Sequence, residues 1–303
     1  MKIKTRRYHI YYWSRVLFFL IRLMPLGISL GIASFMGKVA FSFLGKYRKI
    51  AEDNIAEALG FGEVQSKRIA RDVFVNLAKN GAEWVKIASE GRKCAEKLVT
   101  EVHGLEHYKE AMSGGKGMIV LASHLGNWEL LTVYLTAIGY NGTVIGKRLY
   151  FHKYDEFITG LREKTGVQLM YRDESPKKVL RVLKNGGVIG ILADQDVDSV
   201  NGIFVDFFGK PAYTPVAPVR LAMASGAPIV PSFMIRKKDN THKLVVEKPI
   251  YVKRDAKNEE ELVRYTRAWT ELLEKHVKND PSQWVWIHRR WKTQTKTNGE
   301  SKG

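Results

Sequence analysis

Residues 116–130 read K-G-M-I-V-L-A-S-H-L-G-N-W-E-L. Lys116 to Ser123 is a short apolar run after a Gly-Gly turn, the composition of a strand buried on both faces. Gly126 permits a sharp turn, and Asn127 is a good N-cap for a helix beginning at Trp128. A strand, a glycine turn and a helix in fifteen residues are the building unit of an α/β sheet.

Outward from this stretch the same alternation continues. Helical spacing runs over Arg48–Leu59 and Ser66–Ser89, then over Leu130–Ile138 and over Tyr154–Thr165, the last closed by Gly166. Asn141–Gly146 and Val188–Ala193 read as strands. Thr214 followed by Pro215 is a helix start, threonine as N-cap and proline at the first helical position. That helix ends near Gly226. Ala227–Ile235 and Lys243–Val252 form a hairpin through the polar turn Lys237–Thr241, and Asn258–Lys278 is a long amphipathic helix. The expected fold is a largely parallel central sheet flanked by helices.

The 303 residues carry a formal net charge of +18, 45% hydrophobic side chains and one cysteine, a composition that excludes disorder, collagen and a multi-span membrane protein. Cys94 alone makes no internal disulfide. Residues 1–50 hold ten basic side chains and no acidic one, residues 288–303 contribute +4, and the 237 residues between carry only +4. A basic chain attracts nucleic acid or anionic membrane. The N-terminal cations are interleaved with Tyr11, Tyr12, Trp13, Leu17, Phe18, Phe19 and Leu20, which favours membrane and argues against nucleic acid. The longest uncharged run, Leu23–Gly37, is 15 residues and contains Pro25, short of the roughly 20 that span a bilayer. Residues 1–45 therefore read as a monotopic anchor, with one tilted span as runner-up, 46–293 as the main domain and 294–303 as a polar tail.

The chemistry concentrates at 121–130. His124 follows a buried strand, where α/β folds place ligand and catalytic groups. Glu129 stands five residues later; on one helix the two would point about 140° apart, so they meet only across the turn that Gly126 permits. A carboxylate on one imidazole nitrogen raises the basicity of the other, the orienting half of a triad without its serine. With no G-x-S-x-G elbow and no credible cysteine nucleophile, the pair suits a substrate that brings its own hydroxyl. The bland alternative is a surface histidine beside a helix-capping glutamate. Asp194, Gln195 and Asp196 also end a buried strand. The D-x-D-x-D spacing through Asp198 lacks the Gly at 199 and Glu at 205 of a calcium loop, so no metal is expected, and the loop reads as a polar mouth or acceptor site. Phe207, Phe208, Gly209, Pro211 and Thr214 read as an apolar loop entering a helix, lining an acyl channel or holding a phosphate near Thr214. Trp284, Trp286 and Trp291 around His288, Arg289 and Arg290 have the look of an interfacial aromatic belt, with core packing of at least one tryptophan as the alternative.

H-L-G-N-W-E at 124–129 resembles the H-x4-D/E motif of the glycerolipid acyltransferase superfamily, in the form found in bacterial lipid A biosynthesis (lauroyl or myristoyl) acyltransferases. R-K-I-A-E-D-N-I at 48–55, L-R-E-K-T-G at 161–166, L-A-D-Q-D at 192–196, F-F-G-K-P-A-Y-T at 207–214, L-A-M-A-S-G-A-P-I-V-P at 221–231 and W-I-H-R-R-W-K-T at 286–293 extend the likeness in family order. G-K-R-L-Y at 146–150 departs from the arginine-proline pair usual there. The resemblance implies a glycerol-3-phosphate acyltransferase-like fold and transfer of a fatty acyl group from acyl carrier protein to a lipid A precursor. No cofactor is implied. His124 is then the general base and Glu129 its orienting partner. Arg162 and, less strongly, Arg148 are the candidate oxyanion donors, with Asn127, Asp194, Gln195, Asp196 and Thr214 as further substrate-binding candidates. The implied place is the cytoplasmic face of the inner membrane. Another glycolipid acceptor, such as a phosphatidylinositol mannoside, or a lysophospholipid is the alternative; a non-enzymatic basic module binding nucleic acid or acidic lipid ranks last.

Overall fold

The computed structural model describes residues 5–253 and 259–294, with side chains from residue 7. The N-terminal part is helical: α1 (Thr5–Leu23), α2 (Leu26–Phe43), α3 (Gly45–Leu59), α4 (Glu63–Glu90) and α5 (Arg92–Leu98). Then follow β1 (Val99–His103), α6 (Leu105–Ser113), β2 (Met118–Ala122), α7 (Trp128–Ala137), β3 (Gly142–Gly146), α8 (His152–Lys164), β4 (Gln168–Tyr171), α9 (Pro176–Lys184) and β5 (Val188–Leu192). The chain continues through β6 (Gly202–Phe207), β7 (Lys210–Pro215), α10 (Ala217–Ser225), β8 (Ile229–Arg236), β9 (His242–Val246), α11 (Glu259–Asn279) and a 3-10 turn, Pro281–Gln283.

Seven strands form one sheet in the order β1-β9-β8-β2-β5-β3-β4, parallel except where β8 meets β9; β6 and β7 make a separate hairpin. The expected α/β class is therefore observed. Side chains of β2 alternate faces. Ile119 and Leu121 enter the core with α9, α10 and α11, while Met118, Val120 and Ala122 enter the one with α6 and α7. This two-sided burial explains why the segment reads as a continuous apolar run.

Pro25 separates α1 from α2. The second helix is apolar and long enough to cross a membrane by length and composition. One face of it, through Ser29, Leu30, Ala33, Gly37 and Phe41, is nevertheless buried against α4. At Gly37 a Cβ would stand 2.7 Å from the Val75 backbone, so glycine sets the closeness of that packing. The opposite face leaves Ile28, Phe35, Met36 and Phe43 exposed, and α1 likewise exposes Trp13, Phe19, Leu20 and Leu23.

Three expectations are corrected. Thr214 is no N-cap: it lies within β7, opposite Ile203, and the helix begins later with Pro218 in its first turn. The supposed loop at 207–209 is the tip of a hairpin, where Phe208 and Gly209 both take positive φ (57° and 73°). Phe208 tolerates this because its ring is buried and its N–H donates to Glu274 at 2.8 Å. The tryptophan cluster is core: Trp284 and Trp286 are fully buried, as is Arg290, and Trp291 packs on Phe207. Most of the expected polar tail, residues 295–303, lies outside the described residues, as does Asn258.

Behind the sheet, Glu83 of α4 and Arg236 of β8 form a buried ion pair. Glu83 also accepts from Asn127 (2.7 Å), and Arg236 donates to Asn80 (2.5 Å). Burial pushes the Glu83 carboxyl up, against the pull of Arg236. Glu83→Ala is expected to cost about 3–5 kcal/mol, because it strands a buried guanidinium; urea unfolding of the variant beside the parent measures it.

Candidate active site

β2 and β5 pair in parallel with Ala122 opposite Leu192. Two residues beyond each stand His124 and Asp194, so strand register alone brings them together. His124 Nδ1 lies 2.7 Å from Asp194 Oδ1, and the other carboxylate oxygen accepts from the His124 backbone N–H (2.8 Å) and Trp284 Nε1 (3.0 Å). Burial alone would raise the Asp194 pKa, but the facing imidazole and these donors hold it well below the usual carboxylate range. The imidazole is thereby fixed, with Nδ1 committed and Nε2 left for chemistry. The Trp128 ring meets it edge-on, centroids 4.9 Å apart.

The turn carrying His124 is clamped on all sides. Gly126 N–H donates to the Gln283 carbonyl (3.0 Å), Asn127 N–H to Met234 (2.8 Å), Val285 N–H to His124 (3.1 Å), and Asn80 Nδ2 to Gly126 (2.6 Å). Gly126 has φ of 65°, and any Cβ there would collide with the Met234 carbonyl. Asn127 caps α7 as its sequence position implies, its side chain accepting from Leu130 N–H at 3.0 Å.

Glu129 does not hold His124, and this corrects the H-x4-E reading. From the first turn of α7 it reaches Arg162 of α8 with two bonds, Nη2 to Oε1 at 2.5 Å and Nε to Oε2 at 3.1 Å. Capping by Asn127 aims the helix toward α8, while the neighbouring strand supplies the imidazole's carboxylate. Burial opposes the charge on Arg162, but Glu129 prevails and raises its pKa above the ordinary value.

The other expected site residues divide. Gln195 lies against His124: its Nε2 is 3.3 Å from Nδ1 and 3.1 Å from Nε2. An atom nearly equidistant from both ring nitrogens at this range lies over the ring face, so the amide stacks on the imidazole rather than bonding in its plane. Its Nε2 is also 2.8 Å from His288 Nε2, a residue the sequence reading placed in an aromatic belt. Asp196 binds Thr293 N–H and Oγ1, both at 2.8 Å, and pins the C-terminal segment. Thr214 is wholly buried, accepting from Arg290 at 2.5 Å, and Asn127 is spent on Leu130 and Glu83. Arg148 sits apart, stacked 3.7 Å over Tyr171 and 3.8 Å from Asp173. Burial pushes the Cys94 thiol up to about 12, far from nucleophilic use.

His124, Trp128, Glu129, Arg162 and Gln195 line a cavity of about 520 Å³. It runs between α7 and α8 over the sheet. Val120, Ala122, Val144, Val188, Gly190 and Leu192 contribute from the strands, Leu131, Leu135 and Thr136 from α7, and Ile158 from α8. The size is that of a small-molecule site, and the lining is mostly apolar.

Comparison with known proteins gives the family. A family model described as bacterial lipid A biosynthesis acyltransferase matches residues 1–293. The lipid A biosynthesis lauroyltransferase of Escherichia coli (strain K12) is 26% identical over 310 residues, 96% of this chain and 95% of that protein. The palmitoleoyltransferase of the same strain is 24% identical over 284 residues, 89% and 87% of the two chains. A phosphatidylinositol mannoside acyltransferase of Mycobacterium tuberculosis (strain CDC 1551 / Oshkosh) is 27% identical over 165 residues, 52% of each. Similarity thus spans about half the length of that mycobacterial relative and nearly all of the lauroyltransferase.

The buried histidines give the fold an acid limit. Burial, with His124 nearby, lowers the His288 pKa to about 4, and burial lowers His242 to about 3. An unfolded histidine takes its proton near pH 6.5, which the native ring refuses. Stability from each is full above that value and falls by about 1.4 kcal/mol per pH unit toward the native pKa. Denaturant unfolding between pH 7 and 4.5 is expected to show this slope, lessened by that amount in His288→Asn.

Proposed function

Because the chain belongs to the bacterial lipid A biosynthesis acyltransferase family, we propose that it moves a fatty acyl chain from an acyl carrier protein thioester to a hydroxyl of a lipid A precursor. The observation that carries this reading is His124, bound at Nδ1 by a buried carboxylate and lining an apolar cavity. The acceptor hydroxyl gives its proton to Nε2 as its oxygen bonds to the thioester carbonyl carbon, and the carbonyl electron pair moves onto oxygen. When that pair returns, the carbon–sulfur bond breaks and the thiolate takes the proton from Nε2. Asp194 stabilises the transient imidazolium. Arg162 uses Nε and Nη2 on Glu129, which leaves Nη1 to donate toward the oxyanion or an acceptor phosphate.

The acyl chain occupies the cavity, each buried methylene contributing about 0.8 kcal/mol. Exposed apolar faces on α1 and α2, with the basic charge of residues 1–50, support docking on an anionic bilayer, at the cytoplasmic face of the inner membrane. The packing of α2 on α4 favours a helix lying in the interface over one that spans. A phosphatidylinositol mannoside acceptor is the second reading, favoured by the mycobacterial relatives; the whole-length match to the lauroyltransferase ranks lipid A first.

His124→Ala and Asp194→Asn are expected to lower kcat by about 10²–10⁴-fold with retained cooperative unfolding; wild-type turnover of either in a detergent assay with carrier-protein donor would refute their roles. Running the same assay with each acceptor, and weighing lipid A from cells lacking the protein, identifies the acceptor. Thr136 lies seven residues beyond Glu129 on α7, about 10 Å deeper. Thr136→Phe is expected to shift donor preference to shorter chains by several-fold, read by competition between thioesters of different length.

A further inference from the structure

We propose that His288 is a positioning residue for acyl transfer: it holds the Gln195 carboxamide over the His124 imidazole, so that the second N–H of the amide meets the oxyanion. This rests on the reading of His124 as the base.

Three placements carry the inference. Gln195 directly follows Asp194, so one strand end supplies both the carboxylate in the plane of the imidazole and the amide over its face. The amide nitrogen has two protons and accepts none. At 2.8 Å from His288 Nε2 it must give one of them to that nitrogen, which requires a neutral His288 with its own proton on Nδ1. The lowered pKa of this ring, caused first by its burial, favours the neutral form that this bond needs. The other N–H of Gln195 belongs to an atom 3.1 Å from His124 Nε2, the place where hydroxyl and thioester carbonyl meet.

His288 is itself held firmly. Asn54 Nδ2 donates to its carbonyl at 2.7 Å and to that of Trp286 at 2.8 Å. Beyond it, Arg290 is buried and bonded to the Tyr213 carbonyl at 2.7 Å. A free glutamine side chain would lose rotamer entropy on reaching an oxyanion. With His288 in place that ordering is complete before substrate arrives, and an uncharged donor aimed beforehand favours the transition state over the ground state.

The test uses the full-length protein in the detergent assay, with kcat and KM measured for His288→Ala, Gln195→Ala and the double variant. Each single variant should lose about 10- to 100-fold in kcat with KM within about twofold. The double variant should be no slower than Gln195→Ala, because His288 acts only through the amide. Wild-type kcat in either single variant, or losses that multiply in the double, overturns the proposal. If His288→Ala does not melt cooperatively, Gln195→Met decides: it fills the same space without an N–H, and unchanged kcat overturns the role. His124→Ala runs alongside. Full activity there defeats the reading of the base and this proposal with it, whereas a dead His124→Ala beside unaffected His288 and Gln195 variants defeats this proposal alone.

Discussion

The site depends on a charge pair that does not face it. Glu83 and Arg236 are buried beside the turn that carries His124, and part of the bonding that fixes that turn passes through them or their immediate partners. Glu83 holds the Asn127 side chain; Arg236 holds Asn80, which in turn holds the Gly126 carbonyl. The Arg236 backbone exchanges two bonds with the Gln283 side chain, at 2.8 and 2.9 Å, and the Gln283 carbonyl takes the Gly126 N–H. Removing two charges from water is costly, and only near-complete bonding in the interior offsets it. A loop with positive φ at Gly126 would otherwise sample many conformations; the bonds it makes to Asn80, Gln283 and Met234, the first two held in turn by Arg236, fix it in one.

How much of this is legible in the sequence follows from what is local. β2, β5, α7 and the α8 helix closed by Gly166 are readable because burial pattern, cap and turn lie within each segment. His124 is readable for the same reason, as a polar residue at the end of an apolar strand. Its partner is not. The order β2-β5 is set by packing, and two residues seventy positions apart become neighbours only through register. The H-x4-E spacing offers a nearer carboxylate, and local proximity misleads. Ser175 before Pro176 opens α9, the serine side chain accepting from Lys177 N–H. Thr214-Pro215 carries the same signal falsely, because Pro218 supplies the real helix entry. The tryptophans near the C-terminus look interfacial by composition; their burial depends on the sheet they close over.

α8 joins two apolar surfaces. Ile158, Thr159 and Arg162 line the cavity. Elsewhere on the same helix and just before it, Phe151, Tyr154 and Phe157 receive Tyr8, Tyr11 and Phe18 of α1, with ring centroids 5.1–5.4 Å apart. The N-terminal helix thus packs on the wall of the cavity rather than hanging from the domain. α8 therefore carries the cavity lining and the aromatic seat of α1 on one helix.

Asp194 and Glu129, the two carboxylates nearest His124 by register and by sequence, each have their own imidazole or cation. Asp194 is fully buried and bonded at both oxygens, so it is held ionised and fixes the His124 imidazole. Glu129 is bound by Arg162 across the cavity and braces α7 against α8. Were both to compete for His124, one would have to be protonated or withdrawn, since like charges sharing a site push one pKa upward. Separating them by strand register and helix direction removes that conflict. The imidazole then has a single carboxylate partner, the cavity wall has a neutral pair in place of a lone charge, and an apolar chain can lie beside both.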